Sequence, residues 1–169
     1  MEGLFSFPNP VNEKAARVVA GGVLLISAVA LATSWYWLLV VLAYGFVARV
    51  LTGPTLSPLG RLASGVIAPK LGPAKPVPGP PKRFAQGMGA TMTVAGAILA
   101  LPLHQHGLAD AVLVAMIAAA GLESLLAICI GCQIFSLLMR VGIVPDSVCA
   151  DCADIWSRSN PTPGPGRAR

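Results

Sequence analysis

Four cysteines, arranged as two Cys-x-x-Cys pairs, are the residues best suited to chemistry in this sequence. Cys129 and Cys132 stand in Cys-Ile-Gly-Cys, and Cys149 and Cys152 in Cys-Ala-Asp-Cys, with 16 residues between the pairs. Four thiolates so spaced suit a tetrahedral site for zinc or another soft metal. The same thiols suit disulfide exchange or sulfur transfer, in which a thiolate attacks a disulfide or persulfide sulfur. The plainest reading is of small buried thiols without a common role. On a continuous helix Cys129 and Cys132 share a face late in the helix, where the negative end of its dipole disfavours thiolate. The second pair follows Pro145, Asp146 and Ser147, a helix-start signal that favours thiolate, although Asp151 and Asp154 oppose it. His104 and His106 flank Gln105. They are expected in an outer turn, as weak metal ligands at most and more simply as solvated side chains.

The second candidate is a charge pair, Arg49 and Glu123. Each stands inside an apolar run, where an ionised group is costly and is usually paired or functional. Counted from Trp35, Arg49 lies about 21 Å along its helix, and Glu123 lies about 22 Å from Leu108, at the rise of an α-helix. Both helices descend from the same face, so an Arg49–Glu123 pair is expected, either as a clamp on helix register or as part of a polar path in a small transporter or channel subunit. Glu123 precedes the two cysteines by six and nine residues. One uninterrupted helix turns it to a different face from the thiols, so the charge and the cysteines are expected to be separate features.

These residues must be held by a mostly apolar scaffold. Of 169 residues, 55% are hydrophobic and only 11% charged, with a mean hydropathy of +0.73. A soluble domain carries about 25% charged residues, so an ordinary soluble enzyme and a disordered regulator are both excluded as expectations. The expected fold is all-α, an integral membrane four-helix bundle. Its spans run over about 15–32, 35–51, 84–103 and 108–138, each near the roughly 20 residues that cross a bilayer. The first is expected to be a span and not a cleaved leader, because acidic Glu2 and Glu13 weaken its basic flank and a second span follows at once. Trp35, Tyr36 and Trp37 at the first turn suit an aromatic belt. In the third span Ala85, Gly89, Thr93 and Ala97 form a small-residue stripe, and in the fourth Ala119, Ala120, Glu123 and Ala127 share a face. Both are expected to meet other helices, which leaves a homo-oligomer open.

All twelve Lys and Arg lie before or at the start of the first span, between the end of the second and the start of the third, or after the core of the fourth. The positive-inside rule then puts both termini in the cytoplasm of a multi-pass protein of the bacterial inner membrane. The net charge of +5 reflects that topology and attraction to anionic membrane lipids. No nucleic-acid partner is expected, since no basic-aromatic motif accompanies the charge. Residues 1–14 form a cytoplasmic N-terminal segment, 15–140 the membrane domain and 141–156 a cytoplasmic cysteine-containing segment. Residues 157–169 read as a disordered tail. Within the loop 52–83, residues 52–71 break into short amphipathic pieces, and 72–81 (GPAKPVPGPP) reads as a stiff extended spacer. A cytoplasmic setting disfavours a permanent disulfide.

Several motifs carry a family resemblance. They are Phe7-Pro8-Asn9-Pro10-Val11-Asn12, Arg49 with Gly53-Pro54 and Ser57-Pro58, Pro81-Lys82-Arg83-Phe84-Ala85-Gln86, and Glu123 with Cys129-Ile130-Gly131-Cys132. Together they span roughly residues 5–152, and the chain resembles a bacterial membrane family catalogued as domain of unknown function 4395. The layout is similar to DoxX-type four-helix proteins and loosely similar to vitamin K epoxide reductase, whose thiols face the opposite side of the membrane. Family members stand beside rhodanese-type sulfurtransferases and thioredoxin-like proteins. The resemblance therefore implies a membrane-bound dithiol partner in sulfur or thiol-redox metabolism, served by a soluble rhodanese-like or thioredoxin-like protein. No cofactor is certain. Zinc or another soft metal on the four cysteines is the alternative.

Overall fold

The computed structural model describes residues 7–145 together with Val148 and Cys149. It is mostly helical, as expected for an all-α chain. The long helices are α1 (Glu13–Thr33), α2 (Trp37–Thr52), α5 (Gly79–Ala100) and α6 (His106–Leu126). They pack in a closed ring, α1 on α2, α2 on α5, α5 on α6 and α6 on α1. The α1–α2 turn is short because Ser34 takes a left-handed conformation and its N–H closes on the carbonyls of Ala30 and Leu31. Such a tight connection forces α2 back antiparallel to α1.

Between α2 and α5 lie α3 (Pro58–Leu62), a π-helical turn (Ala63–Ile67) and α4 (Ala68–Lys70), which rest against α1. Strand β1 (Val11–Asn12) then pairs antiparallel with β2 (Pro76–Val77). The expected spacer over 72–81 is shorter than its prolines suggest, since α5 begins at Gly79. Pro80 and Pro81 occupy the first turn of that helix, where no N–H is needed and the fixed φ suits the helix.

The small-residue stripe of α5 does meet another helix. Gly89 and Thr93 are buried, and a Cβ on Gly89 would run into the Phe46 ring of α2. Leu39, Leu113, Ala30, Ala100 and Ala109 fill one layer of the core; Val23, Leu42, Phe46 and Met116 fill another.

The largest departure from expectation is in the fourth apolar run. It is not one helix over 108–138: α6 ends at Leu126, and a separate helix, α7 (Ile130–Arg140), starts after three intervening residues. Neither Gly nor Pro marks the break. Ala127 turns left-handed at φ 58°, and Arg17 of α1 caps the freed carbonyls. Its guanidinium donates to Ser124 O at 3.0 and 3.1 Å and to Leu125 O at 3.1 Å. A cation at a helix C-terminus also opposes the negative end of the dipole. The break is thus held by a tertiary contact more than 100 residues away in sequence.

Candidate functional site

The break reverses the electrostatic setting of the first cysteine pair. Cys129 is the N-cap of α7 and Cys132 its third residue, so both thiols sit at the positive end of a helix dipole, not the negative end. Helix α7 is held there by a close crossing on α5. A Cβ on Gly131 would lie 2.5 Å from the Cβ and 2.6 Å from the Cα of Ala85, so only glycine fits. The side chains of Phe135 and Met139 anchor the rest of α7 against Phe84 and Cys149.

Glu123 and the cysteines form one cluster, contrary to expectation, because the chain turns back after Ala127. Glu123 lies in the last turns of α6 and Lys82 in the first turns of α5, at the same end of the bundle. Lys82 Nζ donates to Glu123 Oε1 at 2.7 Å, with 11% and 17% of the two side chains exposed. The expected Arg49–Glu123 pair is not formed. Helix α5 stands between α2 and α6 in the ring, so Lys82 on α5 meets Glu123 first. Arg49 instead donates from Nε to Gln86 Oε1 at 2.7 Å and from Nη1 to Ser57 Oγ at 3.0 Å, with its guanidinium over the Phe46 ring.

The two sulfurs are 2.6 Å apart, and the Cys132 thiol donates to Cys129. That donation lowers the Cys129 pKa from the ordinary thiol value; burial and the Glu123 carboxylate work against it, and the Lys82 ammonium supports it. Cys132 is pushed the opposite way, first because its proton is held by Cys129 and then by burial. Burial alone would pull the Lys82 ammonium down, but Glu123 and Cys129 together hold it above the usual lysine range. The pair is therefore asymmetric, Cys129 being the thiol that ionises more readily and Cys132 the one that holds its proton.

A groove of about 960 Å³ runs beside it, with Lys75, Lys82, Cys129, Cys132 and Arg140 in its walls. Cys129 is only 8% exposed, so the groove is its route to a reactant. Alkylation follows the thiolate fraction, and the lowered Cys129 pKa moves that fraction to lower pH. The rate at Cys129 is expected to rise with pH and to level off below the free-thiol range. A profile that levels off only at or above that range would contradict the assignment. Mass-spectrometric counting of modified peptides at stepped pH checks it.

The second cysteine pair stands apart. Cys149 is buried and disulfide-bonded, despite the expectation of free thiols there, and a disulfide sulfur is not a thiolate ligand. Cys152, Asp151, Asp154, the proposed helix start at Asp146–Ser147, the tail 157–169 and residues 1–6 of the N-terminal segment lie outside the described residues. Among the described residues, no group of three or more His, Cys, Asp or Glu is arranged to hold a metal ion. His106 stacks on Tyr36 with ring centroids 4.7 Å apart, and Tyr36 bonds Asp110 at 3.0 Å, so this end is a structural contact.

Three residues that matter here carried only faint sequence signals. Arg17 and Lys82 read as topology charges, and Gly131 read as the filler of a Cys-x-x-Cys. Lys82 could have been found from its place four residues before Gln86, since i and i+4 share a helix face, provided the helix was known to begin before Phe84.

Among the described residues, two helices, α1 and α6, are long and apolar enough to cross a membrane. Neither the curated proteins nor the solved structures contain a match to the chain. The matched family covers the stretch from β1 to the end of α7, and with it Arg49, Lys82, Glu123, Cys129 and Cys132 but not the second cysteine pair. On that match over residues 11–140, the chain belongs to the family described as domain of unknown function DUF4395.

Proposed function

We propose that this chain is a membrane-embedded dithiol protein that exchanges sulfane sulfur or electrons with a soluble rhodanese-like or thioredoxin-like partner. The observation that carries the reading is the Cys129–Cys132 pair at the start of α7, beside Lys82 and open to the groove. The membrane setting is supported by what the helices expose. Only 33% of the apolar window of α1 and 22% of that of α6 is buried, whereas a core helix of a soluble protein is mostly buried. Leu25 and Val29 on α1, Val41 and Tyr44 on α2, and Val114 and Leu125 on α6 are among the large side chains left outward. In this reading α1, α2, residues 84–100 of α5 and α6 cross the bilayer of a bacterial inner membrane. The break after Leu126 brings the thiols out at the inner interface. Lys14, Arg17, Lys82, Arg83 and Arg140 gather at that same end, as the positive-inside rule requires of a cytoplasmic face.

The chemistry balances without a bound cofactor. The Cys129 thiolate attacks the outer sulfur of a partner persulfide. A Cys129 persulfide forms, and the partner leaves as a thiolate. Cys132, losing its proton to solvent, attacks the inner sulfur of that persulfide; hydrosulfide leaves, and the Cys129–Cys132 disulfide closes. The sulfane sulfur has gained two electrons and the dithiol has lost two. A thioredoxin-like dithiol returns them through a mixed disulfide, itself becoming a disulfide. The groove suits this role because it has the volume of a ligand cleft, large enough to admit the persulfide-bearing loop of a partner.

The Cys132→Ser variant is expected to accumulate a persulfide or mixed disulfide on Cys129, because the resolving thiol is gone and a serine hydroxyl still donates to Cys129. Cys129→Ser is expected to accumulate none. Non-reducing gels and intact mass after incubation with a persulfidated rhodanese read the outcome. Equal trapping by both variants would remove the assignment. So would zinc at about one per chain with the Cys129 and Cys132 thiols masked, in protein purified without chelator under reducing conditions. That result would favour the structural-metal alternative.

A further inference from the structure

Arg49 is a buried cation with no anion bonded to it among the described residues. It is 5% exposed. Both ion pairs among those residues use other groups, Lys75 with Glu13 and Lys82 with Glu123. Its hydrogen-bond partners are a neutral amide and a neutral hydroxyl, and its Nη2 is buried with no partner among the described residues. Glu123 acts on it only at a distance; removing a guanidinium from water without a bonded counter-charge is costly, and an unmet buried donor adds to that cost. A cavity of about 220 Å³ lies against it. Arg49, Lys82, Asn12, Gln86 and Ser64 are the polar residues in its wall, which holds no carboxylate. The remaining wall is largely proline and aliphatic, including Pro8, Pro10 and Pro54, so the cavity is stiff. Its volume is below that of a drug-sized ligand site.

We infer that this cavity binds a tetrahedral oxyanion of the phosphate or sulfate class, free or carried on a lipid headgroup, with Arg49 as its principal ligand. Arg49 lines the cavity and its guanidinium keeps one donor, Nη2, that no protein acceptor among the described residues uses; a planar guanidinium suits an oxyanion better than a point charge does. Lys82 is committed to Glu123 and adds field more than contact. The site does not rest on the dithiol reading, since none of the cavity's walls is a cysteine, although Lys82 lies in the walls of both.

The experiment uses the full chain in detergent. Inorganic phosphate and inorganic sulfate are titrated by calorimetry at fixed ionic strength against chloride, and the phosphorus content of the purified protein is measured. Saturable binding that falls about tenfold or more in Arg49→Gln, and equally in the cavity-filling Ser64→Phe, supports a free oxyanion. No binding of inorganic phosphate, together with about one phosphorus per chain that both variants lose, supports a phospholipid headgroup. Ser64 is exposed, so that variant remains informative if Arg49→Gln does not fold. The inference is overturned by wild-type protein that neither binds these anions nor retains phosphorus. It is also overturned by binding that Ser64→Phe leaves unchanged.

Discussion

Replacing Lys82 with methionine is expected to destabilise the protein by about 2–3 kcal/mol, because breaking a mostly buried ion pair strands one charge, here with a discount for partial exposure. The stranded charge is Glu123, 17% exposed and facing Cys129. With its cation gone and the carboxylate retained, the Cys129 thiolate loses support and keeps its opponent. Its alkylation at neutral pH should slow by about tenfold, the effect of roughly one pKa unit. Glu123→Gln should move reactivity the other way. It removes the carboxylate that works against the thiolate and leaves Lys82 facing Cys129 alone, so alkylation speeds up although stability still falls. Opposite signs on reactivity, with the same sign on stability, are not produced by general loosening of the bundle. The double variant Lys82→Met with Glu123→Gln should regain much of the stability, since no charge is left stranded. Denaturant titration in detergent and timed alkylation check all three. If both single variants are as stable as wild type, the pair is not a clamp.

The helices themselves were easy to read from the sequence, because burial or exposure of whole apolar runs depends on composition that every window reports. The first run, expected over 15–32, is a helix from Glu13 to Thr33, and the second, expected over 35–51, runs from Trp37 to Thr52. The site was not legible in the same way. Its assembly depends on the turn at Ala127, a residue with high helix propensity. That turn is stabilised by Arg17 donating to carbonyls across the bundle, a contact that no local pattern encodes. From that single hidden break follow the position of Cys129 at a helix start, its proximity to Glu123 and the direction of its thiol shift. The charge pairing failed for a related reason. Equal depth along two helices does not make them neighbours, and ring order puts α5 between α2 and α6. Chain direction and charge type could be read; which helix stands next to which could not.

Gly131→Ala is the substitution by which that assembly is most directly undone. The added methyl would lie 2.5 and 2.6 Å from two Ala85 atoms, one of them backbone, so no rotamer change relieves it and α7 must lift from α5. Overpacking of this kind costs about 1–3 kcal/mol. The functional effect should be larger than that figure suggests, since lifting α7 carries both sulfurs away from Lys82, whose ammonium supports the Cys129 thiolate. The Cys129 pKa then drifts up, and trapping of a persulfide partner at neutral pH should fall by about tenfold or more, even in protein that remains folded. Ala85→Gly in the same chain takes away the methyl half of the clash and leaves the backbone half, so recovery should be partial in both stability and trapping. A pure folding defect would restore the two together. A positional defect predicts that trapping stays depressed after stability has largely returned, because the last tenths of an ångström separate the thiols from their cation. Circular dichroism melts and trapping yields on the single and double variants distinguish these cases. A Gly131→Ala protein that traps its partner as well as wild type would show that the close crossing does not position the dithiol.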